Sequence, residues 1–217
     1  MNRIKLAGWL LGVFVLARSG LAAAPSADNL EAWKGLTPEQ IKQVKAGEIL
    51  ILGANTPQGD EAKRFIQAAM ILNQPIDTAW ALFRHTEKQE QYLPELVKST
   101  LAEDHGNWDR IDFFVKLLFF NIRYRDIHHY EPENYYFYWA LDPDFKNDLK
   151  QQEGYWRLYK LDDKRTLGRY GTMIQLSDLI PKSIMEAATK QNLPVDMEAV
   201  KKYIDSGGTW AKPGYQK

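Results

Sequence analysis

The run Asn121-Ile122-Arg123-Tyr124-Arg125-Asp126-Ile127-His128-His129 is the most polar of the strand-like segments in this 217-residue chain. A β-strand turns successive side chains to opposite faces. Tyr124, Asp126 and His128 therefore share one face as a phenol, a carboxylate and an imidazole in a row. Such a row can orient a polar headgroup or move protons. The strand has a second reading, in which Arg123 and Arg125 form a solvated face paired with surface acids and the row does no chemistry. His128 and His129 are adjacent and point apart, which makes them poor partners for one metal ion. His85 and His105 lie near turns, and no His-x-His, Glu-x-x-His or carboxylate cluster has metal-ligand spacing, so no metal is expected. No Gly-x-Ser-x-Gly, phosphate loop or dinucleotide fingerprint is present either. Hydrolase, NTPase and dinucleotide-dependent chemistry are left without a motif, and no cofactor is expected.

Composition narrows the compartment and the partners. Residues 1–23 read as a secretory signal: Arg3 and Lys5, the apolar run Leu6 to Ala17, then small residues, with cleavage near Ala22 to Ala24. The apolar run is shorter than a membrane-spanning helix needs, and Arg18 interrupts it. The expectation is an exported, periplasmic protein. Without cysteine it has no disulfide, lipidated cysteine or thiolate, so a large core must hold it together. Beyond residue 23 there are 25 basic and 28 acidic residues, a net charge of −3 that argues against nucleic acid as a partner.

The elements that would position the polar row can be read from local chemistry. Ser26 to Pro38 reads as a loosely ordered polar stretch. Thr37-Pro38-Glu39-Gln40 has the order of a capping box and starts a short helix that ends at Gly47. Strand-like runs follow at Glu48–Leu52 and Arg64–Leu72. Pro75 then opens a helix with Ile76, Ala79, Trp80 and Phe83 at helical spacing and Asp77 placed to cap its first turn. A second short helix spans about Thr86 to Tyr92 and ends at Leu93-Pro94. At least six more runs come next: Leu96–Glu103, Trp108–Leu118, Phe120–Tyr130, Tyr135–Leu141, Gly154–Leu161 and Thr166–Leu176, with Asp142 to Gln152 as a longer loop. Joined in this way they make a meander and one strongly curved sheet. Ser177 to Lys190 reads as a helix, Pro194 as its kink or break, and Asp196 onward as helix again with Met197, Val200 and Ile204 on one side, stopping at Gly207-Gly208. The tail 208–217 has no periodicity and is expected to be mobile.

The apolar strand before Pro75, the spacing Pro75-x-x-x-x-Trp80, the polar second helix and Tyr92-x-Pro94 resemble the START-like superfamily of polyketide cyclases, lipid-transport proteins and birch-pollen-allergen-like proteins. Gly154-Tyr155-Trp156 and Thr166-Leu167-Gly168-Arg169-Tyr170 look like two further strands of the same families. The resemblance covers Gly47 to Gly207, with residues 24–46 as an N-terminal extension. It implies an α+β helix-grip fold: a curved antiparallel sheet of about seven strands, two short helices and a long C-terminal helix enclosing a cavity.

With the inward phase taken from apolar alternation and the family pattern, the candidate ligand-binding residues are Phe113 and Val115, Tyr124, Phe137 and Trp139 on successive strands. To these are added Trp156 and Leu158, Tyr170 and Ile174, with Trp80 from the first short helix and Ile184 and Met185 from the C-terminal one. The same alternation builds either a solid aromatic core or a lined cavity, so both stay open. The expected ligand is a hydrophobic or amphipathic small molecule such as a lipid. A cyclase-like enzyme, or an envelope accessory protein with a closed core, are the alternatives. The apolar stretch Leu117, Leu118, Phe119 and Phe120 would be a hairpin tip in transient contact with a membrane.

Overall fold

A computed structural model describes residues 23–53, 65–117, 119–176 and 191–216. Thr37 caps helix α1, Pro38–Lys45. Its hydroxyl accepts from the Gln40 amide while the Gln40 side chain accepts from the Thr37 amide, the reciprocal pair that the spacing predicts. Strands β1 (Leu50–Leu52) and β2 (Phe65–Leu72) pair antiparallel, and helix α2 (Ile76–Phe83) follows. A 3-10 turn, Thr86–Lys88, leads into the single-turn helix α3, Gln89–Tyr92. The rest of the sheet is β3 (Leu96–Asp104), β4 (Trp108–Leu117), β5 (Phe120–Glu131), β6 (Tyr136–Leu141), β7 (Leu149–Lys160) and β8 (Thr166–Leu176). Helix α4, Leu193–Asp205, completes the described elements.

The eight strands form one antiparallel sheet in the order β1-β2-β8-β7-β6-β5-β4-β3. The meander from β3 to β8 is the expected one, and β2 docks on its last strand through eight register pairs from Phe65↔Met173 to Leu72↔Thr166. Eight strands stand where about seven were expected, counting the three-residue β1 at the edge. The sheet grips α4. Met197, Val200, Tyr203 and Ile204 of that helix are buried with Met70, Leu72, Phe137 and Trp156.

Several local expectations are corrected. Strand β7 begins at Leu149 rather than Gly154, because the polar stretch before Gly154 pairs with Ile174, Gln175 and Leu176 of β8. Tyr135 does not open β6: it sits in the left-handed region (φ 47°) at the end of a 3-10 turn. Asp77 does not cap α2, and its carboxylate accepts from the Tyr135 hydroxyl instead. Pro194 stands at the start of α4, and the predicted helix that it would interrupt lies outside the described residues. The proline lies in the first turn of α4, where its missing N–H costs nothing. The helix ends as expected, with Gly207 and Gly208 at φ 66° and 82° and the Gly208 amide donating back to the Tyr203 carbonyl. The predicted helix over 177–190 lies outside the described residues.

The segments at residues 27–34 and 208–212 pack onto the domain, contrary to the expectation of loose segments. Ala27 and Ala32 are buried with Ala69, Ile71, Tyr159 and Leu167 on the convex face of the sheet, and the Arg169 guanidinium donates to the carbonyls of Ala32 (2.8 Å) and Lys34 (3.1 Å). This explains why β2 is apolar at nearly every position: Met70 and Leu72 face the helix side while Ala69 and Ile71 face the N-terminal layer. At the other end, the Gln91 side-chain amide donates to the carbonyls of Gly208 (3.2 Å) and Trp210 (2.8 Å). The Lys212 ammonium donates to the carbonyls of Leu93 (2.7 Å) and Leu96 (2.5 Å). The sequence hides these contacts because their apolar residues are few and their hydrogen bonds go to backbone carbonyls far along the chain.

Candidate functional site: a cavity between sheet and helix

The concave face of β4 to β8, the underside of α2 and α3, and the first turns of α4 enclose a cavity of about 160 Å³. Its apolar wall comes from each strand in alternation: Phe113 on β4, Phe137 and Trp139 on β6, Trp156 on β7, Ile174 on β8. The rings are in contact, with centroid separations of 4.6 Å for Phe83–Trp156, 4.9 Å for Trp156–Tyr170 and 5.1 Å for Phe113–Tyr124. Glycines let the indoles lie flat on the sheet. A Cβ on Gly154 would come within 2.3 Å of Trp139 Cζ2, and one on Gly168 within 3.2 Å of Trp156 Cζ3. The Gly-x-Trp pattern thus has a steric reason: glycine on β7 makes room for the tryptophan paired with it on β6.

The polar row of β5 faces inward. Tyr124, Asp126 and His128 all line the cavity. The alternate face is the solvated one, as the second reading had it: Arg125 pairs bidentately with Asp112, and Arg123 lies over the Phe114 ring.

Asp109, directly opposite His128 in the β4–β5 register, accepts at 2.9 Å from His128 Nδ1 and at 2.6 Å from the Tyr130 hydroxyl. Facing an ionised carboxylate, which only accepts, His128 donates through Nδ1. Asp126 is 1% exposed, and its Oδ2 accepts from the Gln152 side chain at 2.7 Å while Oδ1 has no partner. Burial pushes its carboxyl well above the usual range. Asp196, on the first turn of α4, is pushed up to about 8 by burial and by the Glu95 carboxylate beside it, and its Oδ1 is also buried without a partner. Burial raises the phenols of Tyr124 and Tyr170 too, and each feels the charge of both Asp126 and Asp196.

Of the candidate ligand-binding residues, the cavity brings together Phe113, Tyr124, Phe137, Trp139, Trp156, Tyr170 and Ile174. Three described candidates stand apart from its wall. Trp80 braces α2 against the sheet by edge contacts with Tyr130, Tyr135 and Phe137 at 5.8 to 6.5 Å. Val115 packs between two side clusters near the β4–β5 hairpin. Leu158 is fully buried in the core. Ile184 and Met185 lie outside the described residues. The cavity also uses Phe83, Gln89 and Tyr92 from α2 and α3, Gln152, Thr172, and Leu193, Asp196, Met197 and Val200. Thr172 was within reach of alternation, since it has the parity of Tyr170 and Ile174. Gln152 was hidden because its segment looked like loop. Among the described residues no group of three or more His, Asp or Glu side chains is arranged to hold a metal ion.

This is the START-like helix-grip fold, a curved sheet wrapped around a C-terminal helix. Solved structures with the same architecture include a STAR-related lipid transfer protein from Xanthomonas axonopodis, at 13% identity and TM-score 0.60, matching 72% of this chain and 92% of that one. An aromatase/cyclase from Streptomyces sp. R1128 matches at 14% identity and TM-score 0.58, over 66% of this chain and 94% of that one. A START superfamily protein from Mycobacterium smegmatis matches at 12% identity and TM-score 0.54, over 65% and 97%. No protein-family model matches the sequence, and no curated protein aligns with it significantly.

Proposed function

We propose that the protein binds a small hydrophobic or amphipathic molecule in this cavity and carries or senses it in the periplasm. The observation that supports binding is the cavity itself, walled by aromatic rings with a few polar groups converging on it. Its 160 Å³ suits a single ring or a short acyl segment, since an apolar hole of about 150 Å³ accepts benzene. A lipid would seat only such a segment there. Similarity in fold to a lipid transfer protein and to an aromatase/cyclase is compatible with this reading. Export rests on residues 1–23, with their basic start and apolar run.

Native mass spectrometry of protein purified from the periplasm without detergent, followed by organic extraction, tests both parts. A chain beginning near Ala22 to Ala24 with a stoichiometric small molecule is the expected result. An empty protein that takes up neither fatty acids nor small aromatics would remove the binding reading, and a cytoplasmic chain that keeps residues 1–23 would remove export.

The second reading, an enzyme of the cyclase kind, is favoured by one arrangement. Asp109 orients His128 so that Nε2 can act as a general base beside the Asp126 carboxyl. Incubation with the extracted molecule separates the two readings: a carrier returns it unchanged in mass and connectivity, whereas an enzyme converts it and His128→Ala stops the conversion.

Membrane contact is proposed for a single side chain of the predicted tip. Leu117 pairs with Phe120 across the hairpin and is buried, Phe120 is half-buried, and Phe119 is 94% exposed. Leu118 lies outside the described residues. Phe119→Ser should weaken binding to anionic liposomes about three- to tenfold, the cost of removing one inserted ring from the interface, with an unchanged melting temperature. Equal sedimentation of variant and parent with liposomes would rule the tip out.

A further inference from the structure

We propose that the cavity selects a small amine, an aromatic or short-chain amphiphile whose cationic nitrogen pairs with Asp126; the inference rests on the binding reading above. Asp126 is almost fully buried, lines the cavity, and has one carboxyl oxygen on Gln152 and the other on nothing. Buried acceptors without a donor are rare and costly, and a ligand donor is what this one lacks.

The groups around it sharpen the choice of ligand. Tyr124 and His128 flank Asp126 on β5, Asp109 on β4 is already engaged by His128 and Tyr130, and β7 supplies Gln152. Tyr170 and Thr172 come from β8, while α4 supplies Asp196 with Glu95 beside it and a second buried oxygen that has no partner. Among the described lining residues there is no lysine or arginine. The described lining thus presents two carboxyls and no cation beside them. An anionic ligand would raise the cost of ionising either carboxyl further, and a neutral alcohol could hydrogen-bond the free oxygen without stabilising its charged form. A primary ammonium does both, and its aromatic or short aliphatic body matches the ring-lined wall.

Burial raises the Asp126 carboxyl well above its usual range, so the empty site favours the protonated form more than water does. Pairing with an ammonium lowers the proton affinity of that carboxyl, so binding releases protons to solvent, up to one per site. Binding should tighten as pH rises from neutral, whereas a neutral ligand of the same shape binds without that release.

The experiment uses the purified full-length mature protein, freed of bound molecules, and titrates phenethylamine, 2-phenylethanol and phenylacetate by calorimetry at pH 7 in two buffers of different ionisation heat. The amine should bind roughly tenfold or more tightly than the alcohol, with a net release of protons, and phenylacetate should be the weakest. Asp126→Asn should bring the amine down to the alcohol and abolish proton release. Equal affinities for amine and alcohol in the unaltered protein, or amine binding with no proton released, would overturn the inference and leave small-molecule binding standing. If none of the three binds, the single-ring binding reading falls with it. The proton count is measured on the unaltered protein, so the outcome does not depend on the variant folding.

Discussion

Gly154→Ala should destabilise the protein by about 3 kcal/mol, at the upper end of what overpacking costs in a well-filled core. The added methyl would sit 2.3 Å from Trp139 Cζ2, 2.7 Å from Trp139 Cε2 and 2.6 Å from the Gly171 carbonyl oxygen. These are not contacts that a flexible side-chain end can relieve. The indole is held between Tyr170 and Phe137, with centroid separations of 6.0 and 5.8 Å, and the carbonyl belongs to β8, whose register pairs Gly154 with Thr172. Either Trp139 leaves its place in the cavity wall or the β7–β8 ladder opens. Urea denaturation followed by tryptophan fluorescence gives the stability, and ligand uptake reports the wall. Trp139→Leu in the same chain should recover only part of the loss, because the carbonyl clash remains. A variant within 1 kcal/mol of the parent would mean that the indole is not packed on the glycine; that threshold is roughly the least that forced repacking costs.

Asp196→Asn should stabilise the protein at alkaline pH by on the order of 5 kcal/mol, about 1.4 kcal/mol for each of the roughly four pH units between the carboxyl's unfolded and folded values, and leave it nearly unchanged at pH 4. In the unfolded chain this carboxyl titrates at its ordinary value near 3.8, whereas in the fold it is pushed up to about 8 by burial and the neighbouring Glu95. Between those values the folded state holds a proton that the unfolded state has released. Stability from this group is therefore complete below the unfolded value and falls as pH rises towards 8, where the loss levels off. An amide keeps the shape and carries no titrating proton, so the variant's advantage should grow across that window and then stay constant. Chemical denaturation from pH 4 to 9 measures it. Parallel curves for variant and parent would show that the folded carboxyl titrates as it does in the open chain. The same curve bears on the ligand, because a cation in the cavity should flatten the parent's decline by stabilising the ionised carboxyls.

The phase of β5 was legible because alternation is a property of the strand itself: once Ile122 and Tyr130 face the core, Tyr124, Asp126 and His128 must as well. What His128 does was not legible. Its proton is placed by Asp109, nineteen residues earlier, and only the β4–β5 register puts the two side by side. Asp126 likewise owes its isolation to Gln152, which enters the cavity because β8 extends β7 back to Leu149.

Taken alone, the sequence determined the features that depend on neighbours in the chain. These are the Thr37 capping box, the glycine stop after Asp205, the order of strands and short helices, and the inward aromatics of β6 and β7. Each follows from backbone dihedrals and side-chain periodicity, which act over a few residues. Tertiary structure alone decided which inward residues enclose space and which fill it, separating Trp139 and Trp156 from Leu158 and Val115. It also decided that the N-terminal layer and the tail pack down, through Arg169 reaching carbonyls more than 130 residues away and Lys212 reaching Leu93 and Leu96. Those outcomes depend on the curvature of the whole sheet and on hydrogen bonds to main-chain atoms. Neither leaves a pattern in residue type, because every residue offers the same carbonyl.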